Sequence, residues 1–434
     1  MTNHKAAYLI LDEIIRGGAY ANLALKRHTL NLNKTDAANI TALVYETVEH
    51  LNYAEFILKN FAKGRLHLSI KLILSMGITE LLFMNAPAYA VCNECTELTR
   101  DIGKRALTGF VNGVLRNIDR HRNDLPELPG DFAEKCNILY GTPVFMVREY
   151  LNEYGEEFTE KLLSSKIHPV TIRICNKSKR TEILRALESE KIAYHKSRFS
   201  DDAFILERSP SVIENPFFKD GSITFQSESA MLVCLACAVR DNMNVLDACA
   251  APGGKTAYLS ELMHGTGNIT AWDIHPHRVE LIKNTLSRLH IKNAVCAVRD
   301  ASEYSDKYAD SMDVVLADVP CSGFGGGSKH DVYLNRTEKD VSELARLQKK
   351  ILDCCAGYVK KGGALVYSTC TVSKRENEDN IRRFLAEHKD FEPESPEFCF
   401  PEGFAGRFSQ GMIQLFPHID GTDGFFIARM RRKN

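Results

Sequence analysis

No run of 18 or more apolar residues occurs in this chain, which excludes a helix that crosses a membrane as one hydrophobic segment. An excess of charge is missing too: 55 Lys and Arg against 56 Asp and Glu leave a net charge of −1, so the protein is not basic over its whole surface. Disorder is excluded by a composition that is 44% hydrophobic and 26% charged, ordinary for folded protein. At 434 residues the chain exceeds what one hydrophobic core organises, and two or three domains are expected. The N-terminal stretch "MTNHKAAYLILDEIIRGGAY" mixes acids with leucines and isoleucines at helical spacing, and reads as a helix of a cytoplasmic protein rather than a leader.

A zinc framework is also lacking. Two C-x-x-C pairs exist, Cys92/Cys95 and Cys234/Cys237, but they lie about 140 residues apart in apolar helical contexts, so they read as buried thiols and no metal is expected. The other cysteines of the thirteen are scattered, as in a protein of a reducing compartment. A complete phosphate loop is absent as well. "VLDACAAPGGKT" supplies Gly254-Lys255-Thr256, the second half of G-x-x-x-x-G-K-[ST], but Cys249 stands where the first glycine belongs. Without that glycine the backbone amides do not curl readily around a phosphate, so a nucleotide triphosphatase is the lesser reading.

What is present is organised in three parts. Residues 1–130 carry apolar positions at three- and four-residue spacing, as in "SIKLILSMGITELLFM", and predict an all-helical domain. Residues 131–216 form a mixed segment with a strand at "VTIRIC" and a helix at "RTEILRALESEKI". Between Lys161 and Phe199 this segment holds ten Lys and Arg against three Asp and Glu, a candidate phosphate-facing surface that reads equally as a solvated face without a ligand. Residues 217–434 alternate strands ("NVLDACA", "NITAWDI", "NAVCAVRDA", "DVVLADV", "GALVYSTC") with helices ("TAYLSELM", "HRVELIKNTLSRLH", "VSELARLQKKILDCCAGYVKK"), predicting a parallel doubly wound sheet.

In such sheets ligands bind at the carboxyl ends of the strands. Here the strand ends carry the small-residue loop, Asp273, Asp300, Asp318 followed by "VPCSGFG", and Thr369-Cys370-Thr371. Asp273 lies 26 residues beyond Asp247, roughly where an acid meets ribose hydroxyls in dinucleotide folds. Each acid alone reads equally as a surface residue or helix cap. Together they mark one site.

"DACAAPGGKT", "DVPCSG" and "YSTCT", in that order, resemble the RNA cytosine-5 methyltransferase family of S-adenosylmethionine enzymes. "RALTGFVNGVLRNI" and the helical start are similar to the NusB fold, a fusion that resembles the RsmB (Sun) branch acting on small-subunit (16S) ribosomal RNA. The resemblance implies a multidomain chain: an all-α NusB-like domain, a small α+β segment, and an α/β Rossmann-like class I methyltransferase domain. It implies that Cys249, Ala250, Ala251, Pro252, Gly253, Gly254 and Lys255 wrap S-adenosyl-L-methionine, that Asp273 holds its ribose and Asp300 its adenine end, and that Asp318 lies between cofactor and base.

Such chemistry needs a thiol, because carbon 5 of cytosine attacks a methyl group only after a thiolate has added to carbon 6. A base then removes the carbon 5 proton and the thiol leaves. Spacing alone does not say which cysteine does what. The resemblance implies that Cys370 is the nucleophile and Cys321 assists release, with Asp318 and Lys255 beside them, while Cys249, Cys354 and Cys355 are expected to pack. The base must be single-stranded or extruded. Arg173, Lys177, Lys179 and Arg180 are expected to grip phosphates. After "PCSG" the family usually has paired arginines and Pro-Asp, where this chain reads "FGGGSKHDVYLNRT", so Lys329, His330 and Arg336 would supply the positive charge. A monomer is expected, and the alternatives are a transfer RNA or other ribosomal substrate, or a non-catalytic RNA-binding assembly factor.

Overall fold

The computed structural model describes residues 2–165, 170–207, 215–325 and 336–434. They fall into two compact units, one drawn from residues 1–164 with 336–338 and the other from 165–327 with 339–434.

The first unit is helical. It comprises α1 (Asn3–Gly17), α2 (Ala21–Thr29), α3 (Lys34–Glu49), α4 (Leu51–Phe61), α5 (Leu68–Leu82), α6 (Ala88–Asp101), α7 (Thr108–Arg120), α8 (Phe132–Tyr140), α9 (Val144–Tyr154) and α10 (Glu156–Ser164). The predicted N-terminal helix is α1: the Thr2 hydroxyl accepts from the Lys5 amide at its start, and Gly18 ends it in the left-handed conformation. Helix α5 is buried on every side, as a helix apolar all round must be. Its one acid, Glu80, is met by His4 Nε2 at 2.9 Å. Cys92 and Cys95 are buried on α6 within the same core.

The second unit contains two sheets. In the smaller, β1 (Val170–Ile174), β2 (Tyr194–Lys196), β3 (Ala203–Leu206) and β4 (Ile223–Phe225) pair in the order β2-β3-β1-β4, with every pairing antiparallel. Helix α11 (Arg180–Ser189) covers it through Ile183 and Leu187, which share a core with Ile172, Ile174 and Phe204, and the short α12 (Pro216–Lys219) and α13 (Glu228–Ala236) flank β4 in the chain. The strand and helix expected from "VTIRIC" and "RTEILRALESEKI" are β1 and α11. The three partner strands were not legible, because each is three or four residues long and shows little alternation.

The larger sheet runs β10-β12-β9-β8-β5-β6-β7, with β11 on β12. Its five parallel strands are the ones read from the sequence: β5 (Asn244–Asp247), β6 (Asn268–Asp273), β7 (Ala294–Val298), β8 (Met312–Asp318) and β9 (Val359–Thr369). The chain winds from β5 outward to β7, then returns to β8 on the other side of β5 and on to β9. That reversal between β5 and β8 opens a crevice at their carboxyl ends. Strand β12 (Phe425–Arg432) closes the edge antiparallel to β9, with Phe426 fully buried. β10 (Phe391–Pro393) and β11 (Met412–Leu415) complete it. The helix expected through "YVKK" instead ends at Ala356, and Val359, Lys360 and Lys361 open β9.

Candidate active site

The small-residue loop leaves β5 at Asp247 and enters helix α14 (Gly254–Leu262) through the cis peptide Ala251–Pro252 and through Gly253 at φ +101°. A β-carbon at Gly253 would sit 3.2 Å from Ile282 Cα, so both its conformation and its close approach to helix α15 (Pro276–Arg288) call for glycine. The loop is tied to the sheet by the Ala250 amide, which donates to Trp272 O at 2.7 Å, and by the Ala248 amide, which donates to Leu316 O at 2.9 Å.

Lys255 projects from the first turn of α14 across the end of the sheet. Its Nζ donates to Asp318 Oδ2 at 2.6 Å, while Ser368 Oγ donates to Asp318 Oδ1 at 2.6 Å. Burial by itself would lower the Lys255 ammonium, but the charge and hydrogen bond of Asp318 outweigh it and raise it. The ammonium also stands over the Phe425 ring, 5.4 Å from its centre. Below the pair, Asp247 is fully buried, accepts from Thr256 Oγ1 at 2.7 Å, and is pushed by burial up to about 7.

Two adjoining pockets meet at Cys249, Ala251 and Asp318. One, of about 440 Å³, is lined by Asp273, Asp300, Asp318, Cys321 and Cys370, with Leu347 and Ile351 on its apolar wall. The other, of about 180 Å³, is lined by Ala250, Pro252, Gly254, Lys255 and Asp247. Asp273 accepts the His275 amide at 3.0 Å and faces Arg278 Nε at 3.5 Å; Asp300 accepts the Ser302 amide at 2.8 Å. Arg278 and Arg299 also line the larger pocket, and neither was singled out in the sequence, where nothing separates them from solvated helix and loop charges.

Cys321 follows β8 and Cys370 follows β9, adjacent parallel strands. Their sulfurs are 3.0 Å apart, and the Cys370 amide donates to Cys321 Sγ at 3.3 Å. The bond to Cys370, with burial next, raises the Cys321 thiol well above its usual range. Cys249 is raised by burial, Cys355 is buried in the sheet's core, and Cys354 donates to Ser302 O at 3.3 Å. Just beyond "PCSG", Gly325 O accepts the Gly424 amide at 2.7 Å, and a β-carbon on Gly325 would lie 2.3 Å from Gly424 O. This close backbone crossing seats the loop after Cys321 against the start of β12.

Among the residues expected to bind RNA, Arg173 must be reassigned. It is fully buried on β1, its guanidinium held by Glu261 and by Gln226 Oε1 at 2.8 Å and stacked over Tyr258. It shares with Thr171 the face of β1 opposite Ile172 and Ile174 and joins the small sheet to α14, so it cannot reach a phosphate at the surface. Lys177, Lys179 and Arg180 do face outward, but each has a carboxylate partner: Asp202 at 2.7 Å, Asp220 at 2.8 Å and Asp202 at 3.6 Å. Arg336 is partly exposed, and Lys329 and His330 lie outside the described residues. Glu46, Glu49 and His50 form a cluster of potential metal-ligand type in the helical unit, with nothing else at that place to indicate an ion. No helix among the described residues is long and apolar enough to cross a membrane.

A doubly wound sheet with a small-residue loop after its first parallel strand and two thiols at the carboxyl ends of β8 and β9 has the architecture of a methyltransferase. The solved structure of PH0851 superposes on the chain with a TM-score of 0.83, covering 99% of each at 23% identity, a likeness of fold. A methyltransferase homolog protein from Pyrococcus horikoshii matches 70% of this chain and all of its own, with a TM-score of 0.58 and 27% identity. Residues 234–431 match the family described as 16S rRNA methyltransferase RsmB/F, and residues 1–120 match the NusB family. The chain is 35% identical to a probable ribosomal RNA small subunit methyltransferase B of Bacillus subtilis, over 98% of this chain and 97% of that one. It is 31% identical to ribosomal RNA small subunit methyltransferase B of Shewanella oneidensis, over 98% and 97%. The protein therefore belongs to the RsmB/F family of 16S rRNA methyltransferases.

Proposed function

We propose that the protein transfers a methyl group from S-adenosyl-L-methionine to carbon 5 of a cytosine in 16S ribosomal RNA, through a covalent bond between Cys370 and carbon 6 of the base. The observation that carries this reading is the pair of thiols 3.0 Å apart at neighbouring strand ends, in a pocket shared with Asp318. A purely RNA-binding protein has no use for two reactive groups brought together from residues 49 apart in the chain.

Two features fit the cofactor. The larger pocket has carboxylates at one end, Asp273 and Asp300, where ribose and adenine donors would be held, and small residues, Cys249 and Ala251, where a ligand backbone would lie. Bound there, S-adenosyl-L-methionine supplies an electrophilic methyl group. On the protein's side, Cys370 as thiolate attacks carbon 6 and the ring's electrons move toward carbon 5. Asp318, held by Lys255 and Ser368, is positioned to accept from the cytosine's amino edge and steady the ring. After methylation the carbon 5 proton goes to a base in the site, the carbon 6–sulfur bond breaks, and the electron pair returns to Cys370; Cys321, within reach of that sulfur, assists its departure.

RNA reaches this site as a single-stranded or extruded base. Lys177, Lys179, Arg180, Lys329 and Arg336 are the proposed phosphate contacts, with residues 1–130 adding RNA-binding area, 131–216 the basic bridge and 217–434 the catalytic domain. The proposed setting is the cytoplasm, with the protein acting as a monomer. The test is methyl transfer from labelled cofactor to purified 16S RNA, with bisulfite mapping and a Cys370→Ala control. One protected cytosine that vanishes in the control supports the reading. Cofactor binding without transfer to that RNA would reject the substrate and direct the assay to transfer RNA.

A further inference from the structure

Cys321 and Cys370 are chemically identical groups in contact, yet the reaction needs them to differ: one must attack while the other keeps its proton. The structure contains an asymmetric element beneath them. Glu376, fully buried, lies just beyond the Cys370 loop and turns its carboxylate back toward the loop of Cys321. Oε2 accepts the Ser322 amide at 2.9 Å and Gln348 Nε2 at 2.7 Å, and Oε1 accepts the Ser322 hydroxyl. Gln348 Nε2 also donates to Pro320 O at 2.9 Å, so the residues on both sides of Cys321 are fastened to one network. Ser322 Oγ stands 3.1 Å from Thr371 Oγ1, next to Cys370. Glu376 is itself held in place, since Tyr367 OH donates to its carbonyl at 2.6 Å.

We propose that Glu376 is the positioning residue that makes the two thiols inequivalent, locking the Cys321 loop against Cys370 through Ser322 and Gln348 and presenting its negative charge to Cys321. This rests on the two-thiol reading of the site. A carboxylate in a buried setting opposes a second negative charge nearby, and Glu376 is among the groups that raise the Cys321 thiol, after the bond to Cys370 and burial. Two coupled thiols in contact do not ionise together; the one facing Glu376 keeps the shared proton and donates it toward the other sulfur. Cys321 Sγ accepts the Cys370 amide, a bond that by itself favours its thiolate and is outweighed by the bond to Cys370, burial and the Glu376 charge, and its S–H points at Cys370 Sγ. Cys370 is thereby the thiolate. The inequivalence follows from the network and requires no RNA or cofactor, so it is testable apart from methyl transfer.

The experiment is competitive alkylation with iodoacetamide at about pH 8, with the rate at each cysteine read by peptide mass spectrometry on the full-length protein. In the wild type Cys370 should react first. In E376Q, matched to wild type by thermal melting, Cys321 should react about tenfold faster relative to Cys370, the change expected for one pKa unit. Turnover should fall while KM for RNA stays within roughly twofold, since Glu376 does not face the pocket. In S322A, which removes a donor but no charge, Cys321 should remain the slower thiol. E376D, which keeps the charge, should restore the wild-type order and carries the test should E376Q not fold. A Cys321 to Cys370 rate ratio unchanged in E376Q, or equally shifted in S322A or E376D, would overturn the proposal. If the ratio shifts as stated but no RNA is methylated, the proposed function fails and the role of Glu376 in separating the thiols stands.

Discussion

Lys255 and Asp318 come from residues 63 apart and meet at 2.6 Å across the carboxyl end of the sheet, with the second Asp318 oxygen occupied by Ser368. The lysine whose motif resembles half of a phosphate loop is therefore engaged with a carboxylate. That pairing fixes Asp318 in the wall of the pocket it shares with the thiols, and it ties the small-residue loop to β8.

Replacing Lys255 with Met leaves Asp318 without its cation. Methyl transfer should fall by at least about 100-fold, the scale for loss of a preorganised electrostatic interaction. The stability cost should be only about 1–2 kcal/mol, because both groups retain some access to solvent. Initial rates and denaturant unfolding of the same preparation check both figures.

The two cysteines should fail differently. Cys370→Ala should abolish turnover without forming an RNA adduct, whereas Cys321→Ala should form the adduct and release it slowly, leaving a protein–RNA band that survives denaturing electrophoresis. Equal adduct in both variants and the wild type would remove the role assignment.

Asp247 gives a pH signature of stability. Its carboxyl is held up near 7 in the folded protein, so between pH 4 and pH 7 the folded state retains a proton that the unfolded chain has released. That contribution is present below the unfolded carboxyl pKa and is lost as pH rises through about 7, amounting to at most about 4 kcal/mol. Asp247→Asn should remove it. Unfolding free energies of variant and wild type, measured across pH 4 to pH 8, should diverge in favour of the variant as pH rises and run parallel above about pH 8.

The basic segment separates into a buried and an exposed set. Reversing the charge at Lys177, Lys179 and Arg180 should weaken RNA binding and flatten its salt dependence by about one unit of slope for each phosphate no longer engaged. Arg173→Met should instead cost about 3 kcal/mol of stability by removing a fully buried guanidinium and leaving the partly buried Glu261 without its cation, with the salt slope unchanged. Fluorescence titrations at several salt concentrations distinguish the two.

Much of the molecule was legible in the residue order. Four of the parallel strands, β5, β6, β8 and β9, carry buried apolar runs ending in an acid or a hydroxyl residue, a pattern imposed by burial on both faces of a parallel sheet, while β7 lies at the sheet's edge and is only half-buried. Motifs at those ends named Lys255, Asp273, Asp300, Asp318, Cys321 and Cys370, and the two pockets bring all six together. The small strands of the second sheet and β10 and β11 were not legible, being too short for periodicity to distinguish from loop.

Glu376 shows why further site residues escaped notice. It sits in "SKRENEDN", a charged run that reads as the solvated start of a helix, and only the fold turns its carboxylate inward beneath the thiols. Arg173 errs in the opposite direction: an arginine in a basic segment reads as a surface charge, and the pleat of β1 turns it into the core.

Residue order by itself determined the long helices, the alternation of parallel strands with helices and the chemical inventory of the site, because backbone propensity and hydrophobic period are local properties. Tertiary structure alone decided which charges are paired, which are buried and which two of the thirteen thiols meet at the site. Those depend on distances of 3 to 4 Å between residues tens of positions apart, set when the helices and sheets pack.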